Sequence, residues 1–253
     1  MTEIIAVVNQ KGGVGKTTTS INLASSLTIA KRNVLLIDFD PQSNATRGCG
    51  VDPNTLKSNI NDILMKRANI EEVLVKPENV SFSLLPAAPS LTESEVKLLS
   101  SEDKEFSLKN ILYSANLSYE YVLIDCPPSL NILTVNALAS STSIIIPVQC
   151  EFFALQGISE LMNTITQIQE HTNPTLKIKG ILRTMFDGRN NLSTDVSSQL
   201  LKFFNKQVFK TIIPRNIRLA EAPSHGLTVI EYDEKSRGSL AYLSLAGEII
   251  KQE

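Results

Sequence analysis

The segment Asn9-Gln10-Lys11-Gly12-Gly13-Val14-Gly15-Lys16-Thr17-Thr18 gathers the residue types that bind a polyphosphate. Glycines let the backbone turn tightly, so that successive N–H groups converge on one anion. Lys16 can then reach the β- and γ-phosphates as a mobile positive charge, and the Thr17 hydroxyl suits a magnesium ion. The spacing departs from the common form GxxxxGK[ST], because Gln10 stands at the first glycine position and Lys11-Gly12-Gly13 follow it. A glycine-rich turn with a coincidental Lys-Thr is the bland alternative. The order of strand, loop and helix around the segment argues against it.

Two apolar runs beside this loop end in acids. Val34-Leu35-Leu36-Ile37-Asp38-Phe39-Asp40 and Val122-Leu123-Ile124-Asp125 place carboxylates at the C-terminal ends of expected strands. Open α/β sheets bind their ligands there. The two-residue period of a strand points Asp38 and Asp40 the same way, although the turn at Pro41 can re-aim the second. A lone acid after an apolar strand is a capping residue as often as not. Three acids on two strands, next to a phosphate loop, read as functional, with Asp125 holding a magnesium ion through water.

Such residues need a scaffold of alternating strands and helices. Runs rich in β-branched residues predict strands at 3–8, 33–38, 121–125, 143–148, 177–185 and 208–213. Several are apolar on both faces, as strands between two helix layers must be. Periodicity predicts helices at 17–30, 107–117, 130–139, 155–170, 193–205 and 238–251. Residues 52–105 are less regular, with short helices expected at 59–66 and 71–75 and a strand near 81–86. The alternation implies an α/β fold of the P-loop NTPase kind, with a mostly parallel twisted sheet covered by helices on both faces. Nothing divides the chain, so a single domain over 1–253 is expected. The stripe Leu155, Ile158, Leu161, Met162, Ile165 and Ile168 has helical spacing and reads as core.

Of the 253 residues, 42% are hydrophobic and 20% are charged, and the mean hydropathy is near zero. That balance fits a chain with a substantial buried core and argues against disorder. No apolar run approaches the ~20 residues of a membrane span, and the run at 4–8 is too short for a signal-peptide core. A cytoplasmic location is expected. Cys49, Cys126 and Cys150 lack CxxC spacing and are expected to be reduced thiols. The net charge of −2 hides an asymmetry: between residues 171 and 220, nine Lys and Arg face only Asp187 and Asp195. This marks either an anion-binding face or an ordinary basic surface.

The KGGVGKT loop resembles the deviant Walker A motif of the ParA/MinD superfamily of ATPases. DFDPQSNAT (38–46), DCPPSLNILTVNAL (125–138), PVQCEFFALQGISEL (147–161), RTMFDGRNNLS (183–193) and IPRNIRLAEAPSHG (213–226) extend the resemblance over nearly the whole chain, to the short chromosomal ParA proteins of the Soj type. The resemblance implies an ATP- and Mg²⁺-dependent ATPase of slow intrinsic rate that forms an ATP-dependent homodimer. Lys11 would reach across that nucleotide sandwich to the partner's phosphates, and Gly12 would sit where the two loops face each other. Gly12, Gly13, Val14, Gly15, Lys16, Thr17 and Thr18 would hold the nucleotide's phosphates. Asp40 would orient the attacking water, and Asp38 would lie beside the Mg²⁺ shell.

The resemblance further implies an adenine pocket of Met185, Pro214 and Asn216. It implies non-specific binding of double-stranded DNA through Arg189 and Arg218, both inside the basic segment. A ParB-type partner protein and a nucleoid-associated position complete the expectation. Ser43 departs from the glycine of many relatives, and Arg47-Gly48-Cys49-Gly50 is an unusual continuation. No long segment precedes the loop, so operator reading is not expected. The end at 246–253 lacks the cationic amphipathic face of MinD relatives, so the alternative of a MinD-like positioning ATPase at a membrane is disfavoured. No catalytic role is assigned to His171 or His225.

Overall fold

The apolar runs become strands because each must bury two faces. In the computed structural model, which describes residues 2–115 and 117–252, β1 (Glu3–Val7) leads through the glycine loop into α1 (Lys16–Ile29), and β2 (Val34–Asp38) follows. The less regular excursion holds α2 (Asn44–Gly48), α3 (Ile60–Leu64), α4 (Ile70–Val73), β3 (Ser83–Leu85) and α5 (Leu91–Leu98). Next come α6 (Ser107–Ser114), β4 (Tyr121–Asp125), α7 (Ile132–Ser140), β5 (Ser143–Gln149) and α8 (Ala154–His171). The chain ends through β6 (Lys177–Phe186), α9 (Asn191–Phe204), β7 (Val208–Pro214), α10 (Ile217–Glu221), α11 (Val229–Tyr232) and α12 (Arg237–Ile250).

The strands form one sheet in the order β3-β2-β4-β1-β5-β6-β7, with every neighbouring pair parallel. Parallel pairing needs crossover helices, and these cover both faces. Successive strand side chains point to opposite faces, so each strand feeds two cores. Ala6, Leu35, Ile37, Ile124 and Ile146 pack with residues of α5 to α9. Ile5, Leu36, Leu123, Ile145 and Leu182 pack with residues of α1 and α12. On α8, Ile158, Leu161, Ile165 and Ile168 are buried and Leu155 and Met162 pack against the same core, so the stripe is structural.

The expected strands and helices are all present and, with one exception, shifted by no more than two residues at their ends. The helix expected at 107–117 stops at Ser114, and residue 116 lies outside the described residues. Among the described residues four α-helices were not anticipated. Those at α2, α10 and α11 have five residues or fewer, too short to display a period. The fourth, α5, turns Val96 to solvent and so breaks its apolar stripe.

Strand order carries the functional consequence. From β1, at the centre, the chain first builds toward β2 on one side and later, from β5, toward β7 on the other. That reversal opens a crevice at the C-terminal ends of the strands, where the glycine loop lies.

Candidate functional site

The loop is held by backbone geometry and by pins from neighbouring strands. Gly13 and Gly15 have φ of 73° and 89°, left-handed values that side chains resist. Gly15 is also the residue from which α1 starts, with no side chain capping the helix. Its first N–H groups are therefore left to an anion. The Asn9 amide donates to the Pro147 carbonyl at 2.7 Å, while its Oδ1 accepts the Lys11 N–H at 3.0 Å. From β6, the Thr184 hydroxyl donates to the Val14 carbonyl at 2.7 Å. Lys16 is buried, and its ammonium donates to the Lys11 carbonyl at 3.2 Å, inside the curve of the loop.

Register places the acids. Asp38 pairs with Asp125 at the ends of β2 and β4. Asp125 is fully buried and accepts from Thr17 Oγ1 at 2.8 Å and Ser20 Oγ at 2.9 Å. Burial, and then the charge of Asp38, push its carboxyl up to about 8. Asp38 accepts from the N–H and hydroxyl of Thr46, both at 2.7 Å, and from the Asp40 N–H at 3.2 Å. Burial pushes it up to about 6. Asp40 accepts from the Gln42 N–H at 2.9 Å, and burial raises it as well. Burial lowers the pKa of Lys16, against the pull of Asp125. Ser43, in the turn that follows, has a φ of 56°, which explains why a glycine suits that position.

Three buried carboxyl groups beside one buried ammonium cannot all ionise unless a further cation joins them. The hard oxygens of Thr17 and Asp125, beside a phosphate loop, fit magnesium. Among the described residues no group of three or more His, Cys, Asp or Glu forms a metal cage. Magnesium in phosphate sites does not need one, because it takes one or two protein oxygens and completes its shell with phosphates and water.

A cavity of about 730 Å³ runs from the loop to a more apolar end. Gly12, Gly13, Gly15, Lys16, Thr17, Thr18 and Asp40 line one end; Met185, Pro214 and Asn216 line the other. Met185 has a φ of 48°, a strained backbone of the sort that gathers at binding sites. Asn216 caps α10 by accepting the Arg218 N–H at 2.9 Å. Val14 is buried and is not among the residues that line the cavity; its carbonyl is taken by Thr184. Leu219 and Tyr242 also line the apolar end and escaped the sequence reading. Tyr242 belongs to a helix that reads as plain core, and its hydroxyl shares a 3.1 Å hydrogen bond with Thr19.

The remaining candidates lie outside the cavity. The Lys11 ammonium sits 2.6 Å from Glu151, with both side chains about half exposed. Arg189, 91% exposed, pairs with Asp187 at 2.8 Å. Arg218 pairs with Glu221 at 2.9 Å and Asp233 at 3.2 Å. The basic segment is less basic at the surface than its composition suggests. Arg183 is buried, donating to Ser197 Oγ at 3.0 Å and the Phe209 carbonyl at 2.9 Å. Lys179 is tied to Glu3 at 2.8 Å. Arg189, Arg215 and Arg237 border a separate cleft of about 940 Å³. The three cysteines are free and buried.

A glycine loop that enters a helix at the switch point of a parallel sheet, flanked by acid-ended strands, defines a P-loop nucleotide-binding protein. Residues 2–178 match the AAA domain family. The chain is 46% identical over 249 residues to the sporulation initiation inhibitor protein Soj of Bacillus subtilis, covering 98% of each chain. It is 47% identical over 250 residues to the chromosome partitioning protein ParA of Myxococcus xanthus, covering 99% of this chain and 88% of that one. The chain therefore belongs to the AAA domain family and, within it, to the Soj-type branch of the ParA/MinD superfamily. A similar solved structure, at a TM-score of 0.88 and 35% identity, is a cobyrinic acid a,c-diamide synthase from Mycobacterium smegmatis with bound ADP and magnesium. The match covers 100% of this chain and 95% of that one.

Proposed function

We propose that this chain is an ATP-driven dimerising switch for chromosome or plasmid segregation. Its ATP-bound dimer binds double-stranded DNA without sequence preference, and hydrolysis, stimulated by a ParB-type partner, releases it. The orientation of Lys11 carries this reading. Its ammonium is turned from its own cavity to Glu151, while Gly12 beside it is exposed. A Cβ at Gly12 would meet nothing closer than Pro128 at 4.0 Å, and its backbone is not left-handed. Glycine is thus not required there by the subunit's own packing. Both features suit a second copy, to which Lys11 supplies charge in trans and Gly12 gives close approach.

Within each subunit Lys16 and the N–H groups of residues 13–18 hold the phosphates, and Met185, Pro214 and Asn216 hold the adenine. Thr17 and Asp125 would hold magnesium, with Asp38 beside them; the ion would supply positive charge to offset that of the phosphates. Asp40 orients the attacking water while the Gln42 N–H fixes its carboxylate. Asp38 steadies the same turn by accepting the Asp40 N–H. Arg189 and Arg218 contact DNA phosphates. Among the described residues no helix is long and apolar enough to cross a membrane, and we place the protein in the cytoplasm, on the nucleoid.

Co-sedimentation with duplex DNA and with anionic liposomes tests the reading. DNA is expected to pellet the protein with ATP but not with ADP, and liposomes with neither. Equal DNA binding in ATP and ADP overturns it, and ATP-dependent pelleting with liposomes favours membrane positioning instead.

A further inference from the structure

We propose that the turn at residues 151–153, between β5 and α8, forms a second contact of the homodimer, in which Phe152 and Phe153 of each subunit pack against the other copy. This rests on the ATP-dimer reading above and deepens it by naming a surface that seals the sandwich. Phe152 and Phe153 are 74% and 66% exposed. Their rings meet edge to face, with centroids 5.0 Å apart at 86°. Phenylalanine is among the residues most often buried, so a preformed aromatic pair in water marks a contact surface. Neither ring serves the subunit's own core, which α8 reaches only from Ala154 onward.

Position ties this pair to the nucleotide loop. The two strands β1 and β5 are parallel neighbours, so the loops that follow them leave the same end of the sheet. Glu151, next to Phe152 in the chain, is the residue that holds Lys11. The turn is itself fixed, since the Glu151 N–H donates to the Gln149 carbonyl at 2.8 Å and the Ala154 N–H donates to the Glu151 carbonyl at 2.9 Å. The end of the sheet that carries bare Gly12 and exposed Pro128 therefore also carries Lys11, Glu151 and the two phenylalanines.

Charge selects the occupant. A face with one cation and one anion side by side is self-complementary about a two-fold axis, because Lys11 of one copy can meet an acceptor on the other and the reverse. Because Lys11 and Glu151 pair at 2.6 Å, they offer DNA or anionic lipid no net positive charge. A second copy satisfies the charges and buries four rings near the centre of the contact, where aromatic anchors dominate binding.

The test uses the full chain with Mg²⁺ and a non-hydrolysable ATP analogue. Sedimentation equilibrium gives the dimer dissociation constant, and a fluorescent analogue gives nucleotide affinity at concentrations where the protein is monomeric. Phe152→Ser with Phe153→Ser is expected to weaken the dimer roughly tenfold or more while monomer nucleotide affinity stays at the wild-type value. Phe152→Leu with Phe153→Leu keeps apolar area and should restore dimerisation to within a few-fold. A serine double variant that dimerises like the wild type overturns the proposal and leaves the dimer reading intact. A leucine variant as weak as the serine one also overturns it, because apolar burial is then not the cause. A wild-type protein that stays monomeric with the analogue refutes the dimer reading itself, and this contact with it.

Discussion

Asp125 shows most plainly how burial sets the chemistry of the site. Its carboxyl is fully buried and pushed from the ordinary 3.8 up to about 8. The folded protein therefore keeps a proton that the unfolded chain releases near pH 4. Stability of the ligand-free protein is expected to fall as pH rises from about 4 to about 8, since folding binds protons throughout that window. Asp38, pushed up to about 6, adds to the lower half. Thermal melts across the range check this, with Asp125→Asn expected to lose the upper part of the slope. Magnesium with an ATP analogue should flatten it, because the cation replaces the proton. A wild-type slope identical to that of Asp125→Asn refutes the assignment. The acids and the loop were legible in the sequence because their spacing is local. Their supports were not: Thr184 reaches the loop from 170 positions away and Glu151 reaches Lys11 from 140. No linear pattern carries such contacts.

At the scale of elements, β6 links the nucleotide loop to the outer half of the sheet. Thr184 braces the loop from it, and Gly180 lies beneath the Phe209 ring of β7, with a Cβ there falling 2.6 Å from Cζ. Gly180→Ala is expected to destabilise the fold by about 1–3 kcal/mol, as overpacking does. Urea unfolding measures this, and a midpoint equal to the wild type would show that Phe209 moves aside freely. The strands could be read from sequence because a strand covered on both faces is apolar at nearly every position. The apolar end of the cavity could not be derived that way. It is built partly by α10, five residues long, and by Tyr242 on a helix whose pattern says only core.

The whole molecule is acidic, at −2, so any hold on DNA depends on how its arginines are displayed. Arg189 stands 91% exposed with one acid beside it, whereas Arg218 is shared between Glu221 and Asp233. Arg189→Ala is expected to reduce the log–log salt slope of DNA binding by roughly 0.9 for each phosphate that is no longer neutralised. Arg218→Ala should change it less, because its charge is already offset. Anisotropy titrations over a range of salt on unrelated duplexes decide, and the opposite ranking contradicts the assignment. Binding should be indifferent to base sequence, since phosphate contacts position a protein without reading bases. A dimer doubles these contacts on one duplex, which turns two weak sites into one useful site.

The trans role proposed for Lys11 joins these scales, and the mass of the nucleotide-loaded protein by light scattering tests it most directly. Wild-type protein with Mg²⁺ and ATP is expected at twice the chain mass and at one chain mass with ADP. Lys11→Ala should bind ATP and remain at one chain mass. A Lys11→Ala dimer of wild-type strength, or a wild type that stays monomeric in ATP, contradicts it.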